Sequence, residues 1–443
     1  MPCTRLLFRW RAIVMMATLA EDQTMTSSYL RIFIAAGLFA GSAFGQVRMP
    51  EPNPPFVVGS EKELFRTSNP PSQLDMLPSL EWTIHKSSDG LHPSGSEQQM
   101  LWLMNRARRS PSIEGIWLAH LRQSNVQEGM DYFEVMRDVL MDEFAARTTT
   151  PPAAFDARLY IAARSHSAYL ISTDAQNHTD QFQRILDEGF RYTSARGSVF
   201  SYSKDAIYGH AGFNVDWGGS DESGMQTGRG HREGLMGAYS CVGIACVKED
   251  NPSTNVGPVV TTINYCNANA SYSDHHNLFV VGTVWNDANT NALYDPGEGI
   301  GNVTVMPNQG TYFAITGTAG GYAIPLGSGT YTLTYSGGEL PSNVVKCVTI
   351  DSVSLLEDVE LSGKGFEMTA SATISQDGML TFVLSEQRKG CAYSLVTSTN
   401  LLLGVWKWAG TLPIGYGNSL TYNAPLIEPD STERFMTLRG WRY

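Results

Sequence analysis

The 443-residue chain is short of positive charge: 31 Lys and Arg stand against 43 Asp and Glu, and the net −12 is spread along the chain without a block. That excludes a nucleic-acid partner, since binding one takes a basic face that neutralises phosphates. Long apolar runs are also missing. The candidate in the N-terminal region, IFIAAGLFAG, falls short of the roughly 20 residues that span a bilayer. Cysteine is scarce, six residues in all, and none forms a C-x-x-C pair, which argues against a zinc–thiolate cluster. The G-x-S-x-G elbow, the H-E-x-x-H helix and a Cys-His signature are absent as well. Ser201 and Ser203 therefore read as hydrogen-bonding residues, not nucleophiles.

What is present begins with an export signal. From Met25, TSSYLR leads into the short apolar core and then small residues, with a cut expected near Gly45. Residues 1–45 read as a leader with its start at Met25, no transmembrane segment remains after its removal, and the mature protein is expected to be secreted or held at the cell surface. Loss of Cys3 leaves Cys241, Cys246, Cys266, Cys347 and Cys391, an odd number in a compartment that permits disulfides. One disulfide among Cys241, Cys246 and Cys266 is expected, and spacing does not choose the pair.

The length accommodates two to four domains at roughly 100–200 residues each. Residues 46–95 are rich in Pro, Ser and Asn and read as a linker or wrapping arm. At Ser96 the pattern turns helical: Ser96 and Gln99 have capping-box spacing, and Leu101, Met104 and Ala107 follow at three-residue intervals. YFEVMRDVLMDEFAAR suggests a second helix. A third starts at Asp156 as N-cap and puts Leu159, Ala162, Ala163, His166 and Leu170 on one side, which makes His166 a core histidine. Two strands follow within 241–267. Helices first and strands later point to an α+β sandwich. After residue 277 the runs become short, β-branched and punctuated by Gly and Asn, as in β-sandwiches, and a further all-β segment fills 363–443. Trp406 and Trp408 in that segment suit stacking on sugars or strand packing.

NRARRSPSIEG, PPAAFDARLYIAARSHSAYL, QNHTDQF, VFSYS, YGHAGFNVDWG and GHREGLMGAYSCVGIACV occur in the order seen in bacterial SCP-like members of the CAP superfamily. The resemblance covers residues 96–268. It implies an α-β-α sandwich with a cleft in which two histidines, here His178 and His231, can hold Zn2+ or another divalent cation. The family's cleft glutamate is replaced by Gly197, and Asp180, His210, Asp216 and Glu233 are the candidates to substitute for it. On its own, GRGHREGLMGAY reads as a helix start.

Asp287, Asn289, Asn291, Asp295 and Glu298 stand at positions 1, 3, 5, 9 and 12 of a twelve-residue loop, the spacing with which an EF-hand surrounds calcium. Position 6, usually Gly, is Ala292, and the flanks are strands. GTVWNDANTNALYDPGEGIGNVTV resembles the opening of B-type repeats of bacterial surface adhesins over 278–362, in which Ca2+ stiffens a stalk. Without an ion, the same residues make a polar turn.

The fold expected is multi-domain: an α+β domain of α-β-α type followed by two all-β sandwich modules. The function expected is a non-catalytic binding or cell-surface protein with a small, lipid-like, protein or polysaccharide ligand. Two alternatives stand beside it: a metal-dependent hydrolase using His178 and His231, and an adhesin in which the first domain is a spacer.

Overall fold

The computed structural model describes residues 77–361, apart from 220 and 290, and beyond these only the strands named below. The leader's cut, the linker up to residue 76 and Trp406 lie outside the described residues, as do the surroundings of Cys391 and Trp408.

The first structured segment, 77–94, is an arm that wraps across both domains. Its strand β1 (Leu80–Glu81) pairs parallel with β8 (Tyr312–Ile315) of the sandwich. Lys86 Nζ then donates to the Ile315 carbonyl at 2.7 Å and to Glu81 at 2.8 Å, while the Ile84 carbonyl accepts from Ala157 N–H of the helical domain at 2.8 Å. Of the two readings of this Pro-rich stretch, its final part is therefore the wrapping arm.

The helical domain opens with α1 (Gly95–Arg109). Its capping box is Ser94 with Glu97, two residues before the expected Ser96 and Gln99. Glu97 Oε2 accepts from Ser94 N–H at 2.7 Å, which places the first turn earlier and frees Gln98 and Gln99 to face the sandwich. Next come α2 (Pro111–His120), α3 (Ser124–Tyr132) and α4 (Arg137–Ala145). The single helix expected over 132–147 is broken at Glu134, which takes a positive φ of 55°, so that Val135 N–H returns to the Met130 carbonyl at 2.8 Å.

After β2 (Ala154–Phe155), α5 (Ala157–Thr173) starts as read: Asp156 caps it by accepting from Arg158 N–H at 2.9 Å, and Leu159, Ala162, Ala163, His166 and Leu170 are all buried. His166 is a core histidine whose Nε2 pairs with the Asn177 carbonyl at 3.0 Å. Then follow α6 (Gln181–Asp187), β3 (Tyr192–Ser203), α7 (Ala206–Ala211), a π-turn over Gly212–Asp216, α8 (Gly230–Leu235), β4 (Cys241–Lys248) and β5 (Val259–Ala268). The four strands run in the order β2-β4-β5-β3, with β3 at the edge. α5 crosses one face so closely that a Cβ on Gly243 would lie 2.0 Å from the Leu159 carbonyl carbon, and glycine is required there.

Cys241 and Cys266 are direct partners across β4 and β5, yet Cys241, Cys246 and Cys266 are all free thiols. This corrects the expectation of a disulfide among them. Cys241 and Cys266 are packed into the sheet's interior as small apolar side chains, and Cys246 is half-buried against the core, where desolvation pushes its thiol up to about 12.

The sandwich begins at β6 (Phe279–Trp285) and continues with β7 (Val303–Pro307), β8, β9 (Gly321–Pro325), β10 (Gly329–Gly337), β11 (Val344–Ile350), β12 (Leu355–Leu356) and β13 (Val359–Glu360). One sheet has the order β11-β10-β7-β8-β1, and the other is β9-β6-β12 with β13 also on β6. Val280, Val284, Val305, Leu333, Tyr335 and Ile350 fill the space between them. β14 (Ala370–Ile374), β15 (Met379–Leu384) and β18 (Leu420–Pro425) form a three-stranded sheet, and β16 (Cys391–Ser398), β17 (Lys407–Leu412) and β19 (Glu433–Arg442) form part of another. Met15–Thr18, from the expected leader, pairs with β19, and Ile32–Ile34 pairs with Met15–Thr18. Among the described residues no helix is long and apolar enough to cross a membrane.

Candidate functional site

His231 sits at the start of α8, and what organises it is Asp216. The π-turn that follows α7 ends on Asp216 with φ at +56°, a left-handed conformation that aims the carboxylate back at α8. Asp216 Oδ1 meets His231 Nδ1 at 2.7 Å and Oδ2 accepts from His231 N–H at 2.9 Å, so one carboxylate both caps the helix and orients the ring. Asp216 is fully buried, whereas the His231 side chain keeps about a quarter of its surface exposed. With Nδ1 held by the carboxylate, Nε2 is the nitrogen left for a partner.

Several buried polar contacts hold this turn in place. Glu114 of α2 lies 2.8 Å from His210 Nε2 on α7 and receives Arg106 at 2.8 Å. Burial pushes the Glu114 carboxyl up, but Arg106 and His210 outweigh it and hold it below its usual range; burial likewise lowers His210. Arg232 donates to the Asn214 and Val215 carbonyls and pairs with Glu143, which also receives Arg229 at 2.8 Å. The fully buried Arg108 reaches the Leu235 carbonyl at 2.7 Å and the Tyr239 carbonyl at 2.9 Å, ending α8.

His178 has a different support. Its Nδ1 is 2.7 Å from Gln181 Oε1, one turn along at the start of α6. Gln181 is fully buried and turns its amide nitrogen to Asn264 Oδ1 at 2.9 Å. It lies over Gly197, whose β3 position is paired with Asn264: a Cβ on Gly197 would come within 2.5 Å of Gln181 Nε2. The space a side chain at 197 would enter is thus occupied by Gln181.

Neighbouring residues on β3 serve the two histidines from opposite faces. Gly197 faces Gln181 and the α5–α6 layer, and Arg196, pointing the other way, donates from Nη2 to the Gly230 carbonyl beside His231 at 2.9 Å. His178 and His231 therefore flank the edge strand, and among the described residues no hydrogen bond or ring contact joins them. The four candidate substitutes for the glutamate are also separated. Asp216 serves His231, His210 is buried against Glu114, Glu233 pairs with Arg147, and Asp180 precedes α6 as an exposed residue. No group of three or more His, Cys, Asp and Glu side chains able to hold a metal ion occurs among the described residues. Two nitrogen donors without a carboxylate to complete them do not fit zinc. Ser201 and Ser203 are fully buried, and Ser203 Oγ donates to the Asp205 carbonyl at 3.1 Å.

The loop 287–298 closes on itself. Asp287 accepts from the N–H groups of Asn291 and Ala292, both at 2.9 Å; Glu298 accepts from Ala288 at 3.0 Å and Asp295 at 2.9 Å. The side-chain amides of Asn289 and Asn291 each reach Asp295 Oδ2 at 2.7 Å. Ala292 adopts φ +60°, the left-handed turn for which position 6 ordinarily uses glycine. All five oxygen-bearing side chains are thereby gathered into one loop, and among the described residues none of the three carboxylates forms an ion pair. Burial, reinforced by Asp295 and Asp287, raises the Glu298 carboxyl above its usual range. By residue type this is the oxygen-only set that a hard cation takes, but among the described residues the three carboxylates are not placed as a group able to hold a metal ion.

Sequence reasoning named His178, His231 and the loop residues. It missed Gln181 and Arg196, and it treated Asp216 only as a possible ligand. The i, i+3 spacing of His178 and Gln181 was the available signal for the first.

No family profile and no curated protein matches the chain. Among solved structures, an extracellular SCP-domain protein from Bacillus anthracis is similar at 14% identity, covering 32% of this chain and 39% of that one with a TM-score of 0.21. A DUF3823 family protein from Bacteroides ovatus is similar at 13% identity, covering 36% of this chain and 95% of that one with a TM-score of 0.15.

Proposed function

We propose that the chain is an exported, non-catalytic binding protein whose helical domain recognises an extracellular ligand at the β3 edge and whose β-sandwich presents that domain. The observation that carries the binding reading is the state of the two histidines. Each has its Nδ1 held by a neighbour, Asp216 or Gln181, and each offers Nε2 beside the Arg196 strand, while the nearby serines are buried. Such groups suit recognition of a ligand with hydrogen-bonding or acidic groups. Acyl transfer would need a nucleophile within reach of the His231–Asp216 pair.

The test uses the full chain and its His178→Ala and His231→Ala variants with peptide and ester substrates in the presence of zinc. No turnover by the parent chain is expected. Turnover lost in both variants would establish the hydrolase instead.

The display reading includes Ca2+ in the loop, held by Asp287, Asn289, Asn291, Asp295 and Glu298. When bound, the ion would offset the repulsion among the three carboxylates. Calcium is expected to raise the melting temperature of the full chain, and Asp287→Ala is expected to abolish that increment. An unchanged melting curve in chelator would remove the calcium assignment.

A further inference from the structure

α1 of the helical domain lies on the sandwich, and the polar atoms at this contact do not balance. Gln98 is almost fully buried; its Nε2 donates to Thr283 Oγ1 on β6 at 2.9 Å, but among the described residues its Oε1 meets no donor. That oxygen is seated against β9, where a Cβ on Gly321 would lie 2.2 Å from it. Gln98 and Gly321 line a cavity of about 10 Å³ together with Trp102, Thr283 and the half-buried Asp358, which stands between β12 and β13. A cavity of this size has room for about one water. Asp358 is firmly held. Its Oδ1 accepts from Thr283 N–H at 2.8 Å; next to it, the Glu357 carbonyl accepts from the Tyr322 hydroxyl at 2.7 Å, and a Cβ on Gly282 would lie 2.0 Å from that carbonyl oxygen. An ionised Asp358 and Gln98 Oε1 are thus two acceptors at one small cavity.

We propose that this junction is a proton-linked joint: a proton on Asp358 of the sandwich supplies the donor that Gln98 Oε1 of α1 lacks, directly or through one water, so that acid tightens the seating of the helical domain on the sandwich. The groups facing Asp358 agree with this. Burial raises its carboxyl to about 6, and Glu357 beside it adds to the rise; Thr283 N–H, Arg109 at the end of α1 and the Trp102 indole pull the other way without cancelling it. From the arm, His85 lines the same cavity, with its ring nitrogens against the Trp82 and Ile315 carbonyls. Burial and the neighbouring Lys86 lower it to about 4, so it is neutral where Asp358 titrates. Tyr322 and Tyr335, on β9 and β10, are hydrogen-bonded to each other at 2.8 Å, and burial raises both hydroxyls. The sign follows from linkage. The closed junction holds the Asp358 proton more tightly than an open one in which the carboxyl meets water, so the added docking strength is present at low pH and lost as pH rises through about 6.

The experiment uses the full chain and reads its indole N–H protons by NMR. Solvent exchange at Trp102 and Trp285, corrected for its intrinsic pH dependence, reports opening of the junction, because the two rings meet edge-on there with centroids 5.7 Å apart. Trp117, buried within the helical domain, is the control. With Asp358 at its ordinary 3.8 in the open junction and about 6 in the closed one, opening is expected to be about 10-fold rarer at about pH 5 than at about pH 7.5. Asp358→Asn, which carries a permanent donor, is expected to remove that difference. Gln98→Met, which keeps the side chain's bulk without its amide, is expected to shrink it and to lower the pH at which the Asp358 carboxyl carbon titrates. Equal exchange at both pH values in the parent chain would overturn the joint, as would an Asp358→Asn chain that keeps the parent's pH dependence. Titration of the parent's Asp358 near its ordinary value would overturn it without recourse to any variant. Unchanged titration in Gln98→Met would overturn it too, since the proton would then have no need of Gln98. An equal change at Trp117 would do the same, because acid would be acting on the whole fold.

Discussion

Placing a methyl group at Gly197 should disturb a site that the substituted residue never touches in sequence. The Cβ of Gly197→Ala would lie 2.5 Å from Gln181 Nε2 and 2.6 Å from its Cδ, so Gln181 must move. Gln181 is fully buried, and moving it breaks its bonds to Asn264 at 2.9 Å and His178 at 2.7 Å. Leaving the buried Asn264 oxygen without that donor costs about 1–3 kcal/mol. Replacing glycine by alanine in a strand recovers about 0.5–1 kcal/mol through chain entropy, and the net loss is about 0–2.5 kcal/mol. Gln181→Ala loses the same bonds by deletion. In the double variant the clash is gone and the bonds are counted only once, so the two single effects must exceed the combined one, with a coupling of about 1–2 kcal/mol. Urea unfolding of the four chains, followed by tryptophan fluorescence, measures this cycle. Additivity within about 0.5 kcal/mol would refute the placement of Gln181 over Gly197. The same geometry predicts that Gly197→Glu is tolerated only when Gln181 is shortened.

Other parts of the fold make independent predictions. Burial raises the Asp358 carboxyl to about 6, against the opposing pull of Thr283 N–H and Arg109; the folded chain therefore holds this proton more tightly than the unfolded one, and the stability it brings at low pH is lost as pH rises from about 4 through 6. Asp358→Asn should accordingly stabilise the chain above pH 6 by about 1–3 kcal/mol, with the gain shrinking toward pH 4; a pH-independent gain in urea midpoints would contradict this. Glu114→Gln should destabilise by about 3–5 kcal/mol because it leaves Arg106 and His210 without their buried carboxylate, and denaturation followed through Trp117, which lies 4.1 Å under Arg106, would detect it. Cys241 and Cys266, buried and with raised thiol pKa values, should resist alkylation in the native chain and label together on unfolding; rapid native labelling of either would show that β4 or β5 opens locally.

How much of this was legible in the sequence depended on whether a feature is local. Helix α5 was readable because Asp156 caps it and its apolar positions recur on one face, both set within a few residues. The loop was readable for the same reason, and Ala292 takes the left-handed turn that glycine ordinarily supplies at position 6. The N-terminus of α1 was misplaced because Ser94 and Ser96 both stand three residues before an acceptor, and the choice went to Glu97, whose carboxylate reaches the Ser94 N–H. The cysteine expectation failed on a tertiary fact: two opposed cysteines within a packed sheet can remain thiols.

How His178 and His231 sit relative to each other was not legible, for a more general reason. Motif order along a chain carries no information about strand parity. Once 192–203 is a strand, Arg196 and Gly197 must point to opposite faces, and each face brings its own histidine: α8 on one side, the turn before α6 on the other. Gln181 fills the place over Gly197 and Asp216 spends both oxygens on His231, so each histidine has a complete set of local supports and neither depends on the other for its orientation. Two histidines arranged in this way form two recognition points along one strand edge. A ligand that spans β3 would engage both Nε2 atoms and Arg196, whereas one confined to a single face would engage only one histidine, and the separate effects of His178→Ala and His231→Ala on its affinity would tell which.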